Sequence, residues 1–153
     1  MSARTTPRDY TIKDAAALTG LPASTLRYYE SVGVIAPISR GESSRHRVYD
    51  ENDLGQLLAI ACLAATGMPV SDMKEYVANG QLGAAAAPAQ IELLTERRQQ
   101  LAREAQQIAL RQRYVEVKID YWRAIDAGDE ARATLLATEA SALAGDLENA
   151  KRR

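Results

Sequence analysis

An arginine and two tyrosines share one helical turn near the start of the chain, in the sequence Ser24-Thr25-Leu26-Arg27-Tyr28-Tyr29-Glu30. A guanidinium group can donate two parallel hydrogen bonds to a phosphate or to a guanine edge, and hydroxyl groups add donors that fix a protein on a nucleic-acid backbone. The cluster therefore predicts a surface that binds a polyanion. Its candidate contacts are Ser24, Thr25, Arg27, Tyr28 and Tyr29.

A second group of cationic side chains follows within twenty residues. Between Val34 and Tyr49 the pattern is that of a short hairpin, with a turn at Gly41-Glu42-Ser43-Ser44. Next to a helix-turn-helix, such a hairpin is a wing that can bind the flanking DNA backbone. Taken alone, it is more simply a solubilising charged loop. Its candidate contacts are Arg40, Arg45, His46, Arg47 and Tyr49.

Other chemistry has little support in the residues. One histidine and one cysteine make no zinc or copper site, so no metal and no cofactor are expected. The chain has no glycine-rich phosphate loop and no nucleophile elbow, which argues against an enzyme. Cys62 borders the core stripe of a predicted helix, where a free cysteine is either a small core residue or a reactive thiol.

Helical patterns position both cationic groups. Thr11 and Asp14 form a capping-box variant that starts a first helix, and Gly20 ends it. Pro22 begins a second helix. Two short helices joined in this way are typical of a helix-turn-helix. Asp50 to Asp53 cap a third helix, whose core stripe is Leu54, Leu57, Leu58, Ala61 and Ala65. Ser71 is the predicted cap of a fourth helix that closes at Asn79-Gly80.

Beyond residue 90, apolar residues recur at spacings of three, four or seven, which is typical of a coiled coil. This seam consists of Ile91, Leu94, Leu101, Ala105, Ile108, Val115, Ile119 and Trp122. A helix of about 35 residues spans roughly 50 Å, too long to bury its stripe on a small domain, so we expect the same helix of a second subunit to cover it. The predicted domains are a DNA-binding unit at 1–80, a linker at 81–90, a dimerisation helix at 91–127 and a short final helix at 128–153.

Charge and hydropathy agree with this interpretation. Residues 1–49 carry seven Lys/Arg against four Asp/Glu, a balance of +3, and residues 50–153 carry twelve against sixteen, a balance of −4. Such asymmetry is a weak indication of nucleic-acid binding. The sequence has neither a membrane span nor the apolar centre of a secretory signal, so we expect a cytoplasmic protein without a membrane partner.

The motifs resemble the MerR family of transcription regulators in order, spacing and residue type over residues 10–79. The resemblance rests on Tyr10-Thr11-Ile12, Thr19-Gly20-Leu21, Thr25 to Glu30, Gly33-Val34-Ile35, Pro37, Arg47-Val48-Tyr49 and Asp53-Leu54. Cys62-Leu63, Thr66 to Pro69 and Val117 to Trp122 are similar to the aldehyde- and thiol-stress branch, the NmlR/AdhR-like group. This similarity implies that Cys62 is a sensor thiol that an aldehyde, oxidant or other electrophile modifies.

The resemblance implies a mostly α fold, in which a winged helix-turn-helix precedes a long antiparallel coiled-coil helix and a short C-terminal helix. It also implies a homodimer, formed through residues 91–125, on a palindromic promoter of double-stranded DNA. There the dimer would distort the spacer so that RNA polymerase can engage both boxes; repression without distortion is an alternative. Two departures concern the site: Pro22 replaces the usual Ser or Thr cap, and Arg45-His46 replace the usual Gly-Tyr of the wing.

Three functional hypotheses remain open at this stage. The first is a dimeric DNA-binding regulator that responds through Cys62. The second is a regulator without a sensor thiol, which acts constitutively or holds a small apolar ligand between the coil and residues 70–80, near Met68, Met73 and Tyr76. The third is a coiled-coil adaptor whose head binds protein.

Overall fold

The computed structural model describes residues 8–152, which are almost entirely helical. The helices are α1 (Ile12–Thr19), α2 (Ala23–Ser31), α3 (Glu51–Ala65), α4 (Val70–Gln81), a single 3-10 turn (Gly83–Ala86), α5 (Ala87–Asp126) and α6 (Glu130–Lys151). They form two compact units, one up to Arg97 and one from Arg98 onward. The predicted mostly α fold, with a helix-turn-helix at its start and a long helix after it, is confirmed.

Capping boxes fix the starts of α1 and α3, as the sequence predicts. In α1 the Thr11 hydroxyl accepts from the Asp14 amide at 3.2 Å, and the Asp14 carboxylate accepts from the Thr11 amide at 3.1 Å. Asp50 and Asp53 make the same reciprocal pair before α3. Such pairs satisfy amides that a helix start leaves unbonded. Gly20 ends α1 in the left-handed conformation, at φ 71°.

The core of the first unit lies where α1, α2, α3 and the hairpin meet. Its fully buried side chains belong to Ala15, Leu26, Leu57 and Tyr49, each with 0% of its surface exposed. Burying a large apolar side chain contributes about 1.5–3 kcal/mol, so these residues fix the angle at which α2 is presented. The remaining buried core is Tyr29, Val34, Ile35, Ile38, Leu54, Ile60, Met68 and Met73.

Two details of α3 and α4 differ from the prediction. Leu58 and Ala65, expected in the core stripe of α3, are exposed because the core contacts only the face that carries Leu54, Leu57 and Ile60. The cap of α4 is Pro69 rather than Ser71, since the Pro69 carbonyl already accepts from the Met73 amide at 3.0 Å. The same helix continues past Asn79-Gly80 to Gln81.

The predicted hairpin is present but is not built from extended strands. Isolated bridges join Arg40 to Arg47 and Tyr10 to Tyr49. Between Arg40 and Arg47 the chain turns tightly at Gly41, where an added Cβ would lie 2.6 Å from the Ser44 hydroxyl oxygen. The hairpin is therefore a compact wing, defined as residues 38–48.

The second unit is a helical hairpin made by α5 from Arg98 onward and by α6. Val117 and Ala124 on α5, with Ala133 and Ala140 on α6, are its buried side chains. Gly128, at φ 71°, provides the predicted break between the two helices. The start of α5 lies at Ala87, four residues earlier than the predicted 91, because Pro88 is tolerated in a first helical turn.

Within residues 8–152, no helix is both long enough and apolar enough to cross a bilayer.

Candidate nucleic-acid interface

One face of α2 is polar and exposed while the opposite face is anchored in the core. Ser24, Arg27 and Tyr28 are exposed, with half of Tyr28 open to solvent. At 100° per residue these three positions lie on one side of the helix. Leu26 and Tyr29 point inward, with 0% and 6% of their surfaces exposed. We call the exposed side the α2 face.

The wing presents Arg40, Arg45 and His46 to solvent. Hydrogen bonds close its tip: the Arg45 amide donates to the Gly41 carbonyl at 2.9 Å, and the Gly41 amide donates to the His46 carbonyl at 2.9 Å. The Arg40 guanidinium donates to the Arg45 carbonyl at 3.1 Å. These bonds hold the cationic side chains on a defined turn.

Arg45 adopts φ 55° and is the non-glycine residue with a positive φ in residues 8–152. This left-handed conformation costs a side-chain-bearing residue roughly 1–2 kcal/mol. Arg45 stands where glycine is usual in the family that the sequence resembles, and glycine adopts this conformation without strain. In this chain the wing tolerates strain at a position that carries a cationic side chain.

Glu30 joins α2 to the wing. One of its carboxylate oxygens accepts from the Ile38 amide at 2.8 Å, and the other accepts from Arg47 Nε at 2.6 Å. The side chains of Arg47 and Glu30 are 20% and 13% exposed, so the ion pair is largely shielded from water. Because each carboxylate oxygen contacts a different part of the hairpin, Glu30 sets the position of the wing relative to the α2 face.

The protonation of Glu30 follows from these contacts. Burial by itself would raise its pKa, but the hydrogen bonds from Arg47 and from the Ile38 amide outweigh burial, and the pKa lies below its ordinary value of 4.5. The charged form is thus stabilised in the folded state. Its contribution to stability is present above pH 4.5 and is lost as the pH falls through the lowered pKa.

Most of the predicted contact residues lie on the α2 face or on the wing, but four of them are partly or fully buried. Arg47 is half-buried, and its Nε is engaged by Glu30. Thr25 is half-buried, and the ring of Tyr29 belongs to the core. The expectation that Tyr49 contacts DNA is corrected: its side chain is fully buried, and its backbone pairs with Tyr10.

The Tyr49 hydroxyl gives a direct prediction. It is buried without a hydrogen-bond partner in the described residues, and burial raises the pKa of this phenol above 10.0. Because an unpaired buried hydroxyl costs about 1–3 kcal/mol, Tyr49→Phe should leave the free energy of unfolding unchanged or increase it. Urea unfolding measures this change. A loss above about 1 kcal/mol, or a loss of DNA affinity, would show that the hydroxyl has a role.

Cys62 lies on α3 with its side chain exposed rather than buried. The exposed face of α3 around it is uncharged, with Leu58, Ala59 and Ala65 open to solvent. Exposure is one of the two conditions for a reactive thiol. In the part of the chain that the structure describes, no three His, Cys, Asp or Glu side chains are grouped so that they could hold a metal ion.

A shallow apolar groove of about 250 Å³ separates α3 from α4. It is lined by Gln56, Ala59, Ile60, Leu63, Tyr76, Val77, Gly80 and Gln81. Of the three residues expected around a small ligand, Tyr76 lines this groove, whereas Met68 and Met73 are buried in the core.

Glu30, which joins α2 to the wing, was not among the contact residues predicted from the sequence. An acidic side chain beside a cationic cluster is easily interpreted as a solvent-exposed charge without a structural role. A detectable signal was its place at the end of the α2 pattern, seventeen residues before an arginine on the hairpin.

Residues 10–80 match the family described as MerR HTH family regulatory protein. The chain is 41% identical over 71 residues to the uncharacterized HTH-type transcriptional regulator YyaN of Bacillus subtilis (strain 168), covering 46% of this chain and 51% of that protein. It is 38% identical over 82 residues to the HTH-type transcriptional regulator AdhR of the same organism, covering 54% and 58%. The chain thus spans little more than half the length of these relatives.

The fold is similar to the crystal structure of HiNmlR, a MerR family regulator lacking the sensor domain, bound to promoter DNA. The TM-score is 0.66 at 24% identity, covering 82% of this chain and 96% of that one. At this identity the similarity establishes the fold alone. The relatives are transcriptional regulators rather than enzymes, in agreement with the expectation from the sequence.

Proposed function

We propose that this chain, which belongs to the MerR family of helix-turn-helix regulatory proteins through its residues 10–80, binds duplex promoter DNA and regulates transcription. The observation that carries the proposal is the α2 face with the wing beside it, held together by Glu30. A polar helix face anchored from behind fits the major groove, and cationic side chains on a rigid turn fit the adjacent phosphates.

Each contact has a different role in this proposal. Arg27, at the centre of the α2 face, donates to a base edge in the major groove, while Ser24 and Tyr28 donate to phosphates and fix the register. Thr25 and the Tyr29 hydroxyl contribute at the border of the face. Arg40, Arg45 and His46 bind the backbone that flanks the groove, and Arg47 positions the wing through Glu30.

We further propose that the chain acts as a homodimer through residues 91–125, with two α2 faces on an inverted repeat. The apolar seam of α5 supports this, because its residues are exposed in the single chain. Distorting the promoter spacer for RNA polymerase is the mechanism that we propose for activation. Bending a site of 20–30 base pairs costs on the order of 1–6 kcal/mol, which phosphate contacts from two subunits can offset.

Selection from a pool of DNA duplexes with random 30-base-pair centres tests DNA binding without a known operator. The proposal predicts enrichment of an inverted repeat bound by two subunits, with an affinity that falls as salt rises. Failure to enrich any duplex, together with binding to protein partners, would favour the adaptor hypothesis instead.

Arg45 offers a way to separate stability from binding. Arg45→Gly should leave the free energy of unfolding unchanged or raise it by up to about 1 kcal/mol, because glycine tolerates φ 55°. It should weaken DNA binding by about tenfold and flatten the salt dependence, since each subunit loses a phosphate contact. Urea unfolding and fluorescence anisotropy measure the two effects.

The matched variant is Arg45→Ala, which removes the same charge but keeps a Cβ. It should bind DNA as weakly as Arg45→Gly and be less stable than that variant. Wild-type affinity in both variants would remove Arg45 from the interface.

We propose that the regulator responds to an electrophile, which modifies the Cys62 thiol. The exposure of the side chain on α3 supports this proposal. Treatment with formaldehyde or a maleimide should change DNA affinity in the wild type and leave Cys62→Ser unaffected. An equal response in both proteins would reject the sensor thiol.

The α3–α4 groove supports the alternative in which a small apolar ligand is the signal. Filling it with Ala59→Leu should then abolish the response to that ligand while DNA binding persists. This outcome, combined with an intact response of Cys62→Ser, would favour the ligand over the thiol.

A further inference from the structure

The histidine of this chain stands on the wing among three arginines. His46 is exposed, as are Arg40 and Arg45, whereas Arg47 is half-buried against Glu30. An imidazole changes its charge near neutral pH, where arginine stays cationic and carboxylates stay anionic. Among residues 38–48, His46 is therefore the side chain whose charge responds to a change of pH between about 6 and 8.

The backbone holds the imidazole at a defined place on the wing. The His46 carbonyl accepts from the Gly41 amide at 2.9 Å, and the His46 amide donates to the Ser44 hydroxyl at 3.3 Å. The next side chain, Arg47, points toward Glu30 of α2. Because neighbouring side chains of an extended segment point to opposite sides, the imidazole points away from that ion pair and into solvent.

Within residues 8–152, no carboxylate forms an ion pair with the His46 imidazole. Both oxygens of Glu30 are already engaged, one by Arg47 and one by the Ile38 amide. The charged groups around the wing are Arg40, Glu42, Arg45 and Arg47 on the wing itself, Glu30 and Arg27 on α2, and Asp53 on α3. A protonated imidazole is thus a fourth cation on the wing, and a phosphate beside it supplies the anion that the free chain lacks.

We infer that protonation of His46 strengthens DNA binding, so that the affinity of the chain for its promoter depends on pH between about 6 and 8. The inference rests on the proposed DNA-binding function and concerns the regulation of that same interface. Protonation gives each wing one more phosphate contact, and deprotonation removes it. The two equilibria are reciprocal, because bound DNA favours the protonated imidazole to the same degree that the proton favours the complex.

Three full-length proteins that differ only at residue 46 test this inference. Fluorescence anisotropy on the selected duplex, at constant ionic strength, should show the affinity of the wild type falling by about tenfold from pH 6 to pH 8. His46→Arg carries a permanent charge and His46→Gln carries none, so each should change by less than about threefold. The wild type should bind almost like His46→Arg at pH 6 and almost like His46→Gln at pH 8.

The salt dependence tests whether the proton acts through a phosphate. Each phosphate contact steepens the slope of log affinity against log salt by about 0.9. The slope of the wild type should therefore be steeper at pH 6 than at pH 8 by about 0.9 for each bound wing. In His46→Arg and His46→Gln the slope should be the same at both pH values. Every other titratable group is shared by the three proteins, so a difference between them reports on His46.

Several outcomes would overturn the inference. If His46→Gln loses as much affinity as the wild type between pH 6 and pH 8, or if His46→Arg stays equally sensitive to pH, another group titrates. A salt slope of the wild type that is independent of pH would show that the imidazole contacts no phosphate. DNA binding itself stands in each of these cases. If the wild type instead binds no duplex at any pH, the proposed function fails.

Discussion

Replacing Arg27 by alanine is expected to weaken binding of the dimer to its selected duplex by at least about thirtyfold. A guanidinium that reads a base edge contributes about 1–3 kcal/mol of discrimination, and a dimer on an inverted repeat uses two of them. The side chain is exposed on the α2 face, so its removal should not alter the core. Fluorescence anisotropy at one fixed salt concentration measures the change.

The matched control for Arg27→Ala is Arg132→Ala, which removes an exposed cation from α6. That variant should bind like the wild type. The loss in Arg27→Ala should also be smaller for duplexes that carry a changed base at the contacted position, because a base contact discriminates among sequences. An equal loss on every duplex would instead assign Arg27 to a phosphate. No loss at all would remove the α2 face from the interface.

The second large effect is expected at Glu30. Glu30→Ala should lower the free energy of unfolding by about 2 kcal/mol, because Arg47 and the Ile38 amide lose a shielded partner. DNA affinity should fall as well, although Glu30 is acidic and its removal makes the surface more positive. A gain in affinity on removing this carboxylate would contradict its role in positioning the wing.

The pH dependence of Glu30→Gln tests the ion pair specifically. Above pH 4.5 the wild type should be the more stable protein, since the folded state lowers the pKa of Glu30. As the pH falls through that lowered pKa, the carboxylate is protonated and the two proteins should converge. Glu75→Gln, an exposed change on α4, should differ from the wild type by less than about 0.5 kcal/mol at any pH. Parallel urea unfolding curves from pH 3 to pH 7 measure this.

Local features of the fold could be read from the sequence because their causes lie within a few residues. Thr11 with Asp14, and Asp50 with Asp53, predict helix starts, since each pair is satisfied inside one turn. Gly128 predicts the end of α5 for a similarly local reason. The seam from Ile91 to Trp122 was visible as a period because a heptad repeat needs no tertiary information.

Other features depended on contacts distant in sequence. Tyr49 carries a hydroxyl and follows two arginines, yet its pairing with Tyr10 places the ring in the core. Leu58 has the right spacing for burial, but the core of the first unit does not extend to that side of α3. Glu30 is separated from Arg47 by seventeen residues, and only the folded wing brings them together.

Hydrogen–deuterium exchange of the full-length chain with and without its selected duplex tests the central claim most directly. If the α2 face and the wing form the interface, amide exchange should slow in residues 23–31 and 38–48 on adding DNA. Unchanged exchange in both segments, with protection appearing only in α5 or α6, would contradict the proposed interface.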